Sequence, residues 1–311
     1  MRVLVCGANG MVGQAVLRRA KALKPDWQLD APTRQQLDLL DGAAVRSWLK
    51  THPYDLIVVA AAKVGGIKAN MDDQVGFMTQ NMMIGMNVVT AAHEAGVEKM
   101  IYLGSSCMYP RDFGQTLKEE HIFAGPFEPT NEGYAIAKTA TGKLCEFMSK
   151  QHGRAYRTLI PCNLFGPADR YDAQNGHLVA AIIQKIHHAA AAKAPTVEIW
   201  GHGEAMREFL YVDDLADAVI HFGTDPARYP HYLNIGSGVD HTINDYYAVA
   251  AKVIGFSGTF THDLSKPVGM MKKLMDVSLA KSHGWEAKTG LEDGLRLAHA
   301  WYAANIPAVA A

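Results

Sequence analysis

Tyr134 and Lys138 stand four residues apart in the segment EGYAIAK, a spacing that sets both side chains on one face of a helix. An ammonium beside a phenol favours the ionised form, so such a pair can take up and return a proton at a carbonyl or an alcohol. Upstream, Ser105 lies in LGSSCMYP, directly after an apolar run. A hydroxyl placed there can hold a substrate oxygen as charge builds on it. Cys107, in the same segment, reads either as an inert buried thiol or as a reactive one. A Tyr–Lys pair at this spacing recurs by chance in a chain of 311 residues. Its weight comes from Ser105 and from a glycine loop far upstream.

That loop is GANGMVG, with Gly7, Gly10 and Gly13 separated by Ala8, Asn9, Met11 and Val12. A dinucleotide pyrophosphate needs close approach to the backbone and free N–H groups at a helix start, so side chains must be absent there. Position strengthens the motif, because the loop sits between a first strand and a first helix. A second strand is expected to end near residues 29–33, and APTRQQLDLLD then places Arg34 just beyond it. A guanidinium suits the extra phosphate of NADP(H), whereas an acid suits the free ribose of NAD. The alternative is a solvated surface arginine.

These residues need a scaffold. Residues 3–5, 56–59, 100–103 and 156–160 are short apolar runs, and 11–23, 81–95 and 131–152 carry helical patterns. Such alternation specifies parallel β-α-β units and an α/β, Rossmann-type doubly wound parallel sheet, with the side chains that follow each strand facing the ligand. After Gly166 the pattern loosens. The expected division is an NADP-binding Rossmann domain over 1–166, to which 207–220 returns. A smaller C-terminal substrate-binding lobe covers 167–206 and 221–298, and 299–311 is a loose tail. The Ala-rich run 187–194 is read as helix.

Composition sets the broad class. Hydrophobic residues make up 49% and charged residues 20%, with a formal net charge of −1, so bulk charge points to no nucleic-acid and no membrane partner. Cys6, Cys107, Cys145 and Cys162 show no metal-finger spacing, and no metal site is expected. With no apolar run long enough to span a bilayer, they read as reduced thiols of a cytoplasmic protein.

Taken together the motifs resemble a known family. Beyond the three glycines, Ser105 and Tyr134–Lys138, the strings AAAKVGGIKAN (60–70), LGSSCMYP (103–110), EPTNEGYAIAK (128–138), NLFGP (163–167), REFLYVDDLADA (207–218) and DLSKP (263–267) are similar to the GDP-L-fucose synthase family. Its members, also called GDP-4-keto-6-deoxy-D-mannose epimerase/reductases, are extended short-chain dehydrogenases. The resemblance runs from residue 1 to about 298. It implies epimerisation beside a sugar C4 ketone through enolates, followed by hydride reduction of that ketone from NADPH. Cys107 would then be the base-type residue and His177 the acid. Ser105 and Tyr134 would hold O4, and Lys138 would orient the nicotinamide ribose and lower the tyrosine pKa. Implied cofactor contacts are Gly7, Asn9, Gly10, Met11, Val12, Gly13, Arg34, Ala61, Ala62, Lys63, Tyr134, Lys138, Asn163 and His177. Implied contacts to a GDP-linked keto-sugar are Ser105, Ser106, Cys107, Lys185, Trp200, Arg207 and Lys273. The resemblance further implies a homodimer through paired long helices, one of them 131–152.

Two departures stand out. Ala8-Asn9 replaces a basic pair, and SKPVGMMKK (265–273) replaces a pattern closer to SKPDGTPRK. The second leaves open a reductase, or a single-carbon epimerase/reductase, acting on another GDP-4-keto-sugar. An NAD-dependent nucleotide-sugar 4-epimerase is opposed by Arg34 and by the Cys107/His177 pair. A non-catalytic NADP-binding sensor is opposed by the presence of both Tyr134 and Lys138.

Overall fold

The computed structural model describes residues 1–111, 113, 116–172, 176–265 and 271–306. The N-terminal part runs β1 (Arg2–Cys6), α1 (Met11–Leu23), β2 (Gln28–Asp30), α2 (Gly42–Thr51) and β3 (Leu56–Val59). It continues with α3 (Ile67–Asp72), α4 (Gln74–Glu94), β4 (Lys99–Leu103), α5 (Glu132–His152) and β5 (Ala155–Pro161). Then follow β6 (Asn163–Phe165), α6 (Leu178–Ala191), β7 (Thr196–Trp200), β8 (Met206–Tyr211), α7 (Val212–Thr224) and β9 (Tyr232–Ile235). The chain closes with β10 (Asp240–Thr242), α8 (Ile243–Ile254), β11 (Thr259–Asp263), α9 (Ser278–Ser282) and α10 (Leu291–Asn305).

The main sheet has six parallel strands in the order β2-β1-β3-β4-β5-β9. Its strands are apolar throughout because both faces are covered. Val3, Val5, Leu56, Val58, Ile101 and Leu103 pack with α1 and α7, while Leu4, Cys6, Ile57, Val59, Met100 and Tyr102 pack with α2, α4 and α5. Alternate residues of one strand thus enter opposite cores, as the pleat requires. Chain direction across the sheet reverses between β1 and β3, and the crevice for a ligand opens at the carboxyl ends of the strands there. The C-terminal lobe adds a three-stranded sheet, β10-β8-β6, and the parallel pair β11-β7. Its own core joins Phe165, Ile183, Ile199, Tyr246, Leu295 and Tyr302. No described helix is long and apolar enough to cross a membrane.

Several boundaries differ from the sequence expectation. Helix α4 begins at Gln74, seven residues before the expected start at Asn81, because the Asp73 carboxylate caps it by accepting from the Gly76 N–H at 2.9 Å. Only the helical half of 207–220 returns to the main sheet: α7 covers the face shared with α1, whereas β8 pairs within the small sheet. The true returning strand is β9, inside the stretch assigned to the substrate lobe. Nor is 299 the start of a tail. Helix α10 runs to Asn305, and Tyr302 is buried in the lobe core. Residues 307–311 lie outside the described residues, as do 173–175, shortly before His177, and 266–270 of the departing segment.

Candidate active site

The glycine loop is shaped by close approach. Gly7 adopts φ +85°, and a Cβ there would lie 2.6 Å from the Ala61 backbone nitrogen. At Gly13 a Cβ would come within 2.2 Å of the Gly7 carbonyl oxygen. Gly10 is different, since its added Cβ would meet nothing nearer than 3.5 Å. The fold itself therefore requires Gly7 and Gly13, while the missing side chain of Gly10 leaves room for something outside the chain. Gly10 is also the N-cap of α1 and provides no side-chain cap, so the first amides of the helix, at Met11, Val12 and Gly13, are left for an anion. The Asn9 carbonyl is held by Gln14 Nε2 at 2.9 Å. A dinucleotide pyrophosphate fits this cradle.

Two neighbouring segments complete the crevice. Ala61, Ala62 and Lys63 follow β3, and Asn81 of α4 pins them, accepting from the Lys63 N–H at 2.9 Å and donating to its carbonyl at 3.0 Å. Lys63 Nζ pairs with Asp73 at 2.5 Å. Beyond β2, Arg34 is exposed and makes only a loose contact with Asp38 at 3.5 Å, an interaction worth little in water. Asp30, the last residue of β2, is an acid in the region where NAD-binding proteins place one, and the sequence expectation overlooked it. Its carboxylate is taken by the Tyr54 hydroxyl, which in turn accepts from Trp48 Nε1 at 3.0 Å.

The candidate catalytic residues gather at the end of β4. Ser105 caps a short 3₁₀ turn over Ser106–Met108, its Oγ accepting from the Cys107 N–H at 3.2 Å. Ser105 and Cys107 are half-open, whereas Ser106 between them is buried. From α5, Tyr134 lies beside the Ser105 side chain, which favours its ionised form. Its ring meets Phe77 edge-on at 6.4 Å. Lys138 is buried, donates to the Leu103 carbonyl at 2.8 Å, and holds its Nζ 4.9 Å from the Tyr102 ring centre and 5.8 Å from that of Tyr134. Burial pushes the Lys138 ammonium down to about 8, with the Cys107 thiol opposing.

One electrostatic expectation is corrected here. Lys138 does not lower the Tyr134 pKa: burial raises it, the neighbouring Cys107 raises it further, and the Ser105 side chain only partly offsets them. Desolvation of a phenolate outweighs a cation that is itself poorly solvated and already committed to Leu103. Cys107 Sγ accepts from Asn131 Nδ2 at 3.1 Å. Cys6, Cys145 and Cys162 are buried, and all four cysteines are free thiols.

His177 is the N-cap residue of α6 and is tied to Asp169, Nδ1 to Oδ1 at 3.0 Å, not to Cys107. Asp169 is buried, and its other oxygen has no hydrogen-bond partner among the described residues. The Asp169 hydrogen bond raises the His177 pKa above the ordinary histidine value, against an opposing effect of burial. The pair therefore stabilises the fold fully below the ordinary histidine pKa of 6.5 and less as pH rises through the raised value. Asp169→Asn is expected to move the His177 imidazole titration, followed by NMR, to lower pH. Proton donation by His177 above neutral pH should fall with it. An unmoved midpoint would break the proposed link between the two residues.

The C-terminal lobe supplies cations and one aromatic plane. Trp200 is 53% exposed at the end of β7, so it is not core packing. Lys185 from α6 holds its Nζ 6.0 Å from the Trp200 ring centre and donates to the Glu198 carbonyl at 2.7 Å. Arg207 on β8 donates to the Met206 carbonyl at 2.8 Å, and burial lowers its pKa. Lys273 is also desolvated and lies within electrostatic reach of Cys107, Arg207 and Glu128, which joins the reacting cluster to the cationic lobe. The buried Glu208 carboxylate holds that arrangement, accepting from the N–H groups of Gly238 at 2.9 Å and Met275 at 3.1 Å. Burial raises the Glu208 pKa to about 7. Asn163 donates to the Glu208 carbonyl at 3.0 Å. Asp169, Asn81, Asn131 and Glu208 are absent from the sequence expectation. Asn131 and Glu208 stand inside quoted motifs, Glu208 directly after Arg207 and Asn131 three residues before Tyr134. Among the described residues no group of three His, Cys, Asp or Glu could hold a metal ion.

Comparison with known proteins agrees with this geometry. The model of the NAD dependent epimerase/dehydratase family matches residues 3–236. A GDP-L-colitose synthase of Yersinia pseudotuberculosis is 44% identical over 296 residues, covering 95% of this chain and 96% of that protein. A GDP-L-fucose synthase of Escherichia coli (strain K12) is 43% identical over 314 residues, covering 98% and 97%. Among solved structures, a GDP-mannoheptose C4 reductase from Campylobacter jejuni with NADP bound superposes with a TM-score of 0.87 at 29% identity, covering 97% of this chain and 98% of that one.

Proposed function

Because the chain belongs to the NAD dependent epimerase/dehydratase family, and within it to the GDP-L-fucose synthases, we propose that it is an NADPH-dependent epimerase/reductase. Its substrate is a GDP-4-keto-6-deoxy-sugar, GDP-4-keto-6-deoxy-D-mannose in the first instance, and its product is GDP-L-fucose or a close GDP-deoxy-sugar. The carrying observation is the single cluster of Ser105, Cys107, Tyr134 and Lys138 at the end of β4, on the same sheet edge as the glycine cradle.

The bound dinucleotide would supply a hydride to C4. Arg34 favours the phosphorylated cofactor, being exposed at the rim while Asp30 is engaged by Tyr54. Ser105 and Tyr134 hold O4 of the sugar, and Tyr134, whose proton is held tightly by burial, delivers it to O4 as the alcohol forms. Lys138 holds the buried floor of the site and orients the ribose. Cys107 takes a proton from carbon beside the ketone, and His177, kept charged by Asp169, returns one. Trp200 offers a flat face to the guanine, while Lys185, Arg207 and Lys273 meet the diphosphate. The protein acts in the cytoplasm as a homodimer through α4 and α5, on which Met83, Met86 and Phe147 are exposed.

Incubation with GDP-4-keto-6-deoxy-D-mannose and NADPH, followed at the nicotinamide absorbance band with the product identified by NMR, tests this. Turnover to GDP-L-fucose is the expected result. Oxidation of NADPH to a different GDP-hexose would limit the claim to reduction with partial or no epimerisation. NADPH binding without turnover would reject this sugar.

A further inference from the structure

Asn131 stands at the N-cap of α5, where an asparagine ordinarily turns its side chain to accept from the first amides of the helix. Here it makes no such bond. Gln74 of α4 caps the helix in its place, accepting from the Gly133 N–H at 3.0 Å and steadied in turn by donating to the Pro129 carbonyl at 2.7 Å. The Asn131 side chain points instead to the sulfur of Cys107, with Nδ2 donating to Sγ at 3.1 Å. Its own Oδ1 is left buried without a hydrogen-bond partner among the described residues. A buried orphan acceptor calls for an explanation, and the sulfur contact supplies one, because the orientation that satisfies Sγ forfeits both the cap and the acceptor. With sulfur as an anion, only the Nδ2 orientation makes a hydrogen bond.

We infer that Asn131 is a positioning residue for Cys107, aiming its sulfur and donating a hydrogen bond to it for abstraction of a carbon-bound proton. The inference rests on the reading of Cys107 as the base. Tyr134 and Lys138 of α5 and Lys273 of the C-terminal segment are the titratable groups that face the sulfur. Asn131 adds a hydrogen bond, replacing water around the sulfur with a fixed dipole. The Sγ then needs no reorganisation when it takes the proton.

The decisive experiment reads the thiol without any substrate. Alkylation of Cys107 by iodoacetamide is followed by peptide mass spectrometry against pH in the wild type and in Asn131→Asp and Asn131→Ser. Cys6, Cys145 and Cys162 are buried and serve as internal references. Both replacements can cap α5, so they should melt at or above the wild-type temperature. Asn131→Asp removes the donor and sets a like charge beside the sulfur. It should slow alkylation at pH 7 about tenfold and move the midpoint to higher pH, with Asn131→Ser shifted less. Unchanged alkylation profiles in both variants, with melting temperatures intact, would overturn the inference and leave Asn131 as a displaced cap. Deuterium wash-in from solvent into GDP-4-keto-6-deoxy-D-mannose is the second arm and should fall together with alkylation. If alkylation shifts and wash-in does not, Cys107 is not the base and the positioning role falls. If the wild type gives no wash-in, the substrate proposal fails, while the alkylation arm still decides whether Asn131 tunes the thiol.

Discussion

Tyr134→Phe is expected to lower kcat for NADPH oxidation by about 10²- to 10⁴-fold, the usual worth of a positioned general acid. That corresponds to about 3–5 kcal/mol of transition-state stabilisation. The substitution removes one oxygen and nothing else. The ring keeps its edge-on contact with Phe77, Lys138 keeps its bond to the Leu103 carbonyl, and Ser105 keeps its turn through Cys107. What disappears is a proton that burial holds firmly on the phenol until an alkoxide develops beside it. A tightly held proton suits the reducing direction, in which the tyrosine must give rather than take. NADPH binding, read by fluorescence titration, should stay close to wild type, because the cradle lies after β1 and the tyrosine on α5. A kcat within threefold of wild type would mean that the proton comes from elsewhere and would remove Tyr134 from the mechanism.

Gly13→Ala should abolish measurable NADPH binding and lower the melting temperature. The added methyl would sit 2.2 Å from the Gly7 carbonyl oxygen and 2.6 Å from the Ala8 Cα, both backbone atoms. Overpacking a tight site costs about 1–3 kcal/mol even where side chains can yield, and here the first loop must move off the segment after β3, where Gly7 is already packed against Ala60 and Ala61. Gly10→Ala is the matched control. Its methyl would meet nothing nearer than 3.5 Å, so the fold should melt as wild type while NADPH binding weakens at least tenfold, about 1.4 kcal/mol. A Gly10→Ala protein that binds NADPH like wild type would show that no phosphate approaches that backbone. Loss of stability in both variants would make the middle glycine a packing residue like its neighbours.

Much of the scaffold was legible because its signals are local. The helix over 11–23 and the strand over 56–59 appear at the expected residues, since an apolar run between turn signals, or a helical stripe, is written within a dozen positions. The Tyr134–Lys138 spacing carried over for the same reason: a helix rotates by a fixed angle per residue. Errors arose where a local pattern was incomplete. Asn81 looked like a helix start because the true first turn, capped by Asp73, contains Gly76, a weak helix former. Asp30 passed unnoticed because its engagement by Tyr54, 24 residues away, cannot be read from β2 alone.

From the sequence alone followed the chemical inventory of this protein: a glycine loop between strand and helix, an arginine at the second strand, and a serine, a tyrosine and a lysine in the order a reductase of this family uses. Only the tertiary structure decided how those groups act on one another. Folding set Cys107 beside Asn131 and within reach of Lys273, gave His177 to Asp169, and buried Tyr134 so that desolvation raises its pKa. Periodicity and spacing are properties of neighbouring residues. Burial, hydrogen-bond partners and the pKa values that follow from them depend on segments that meet only when the sheet closes and the small lobe folds over its edge.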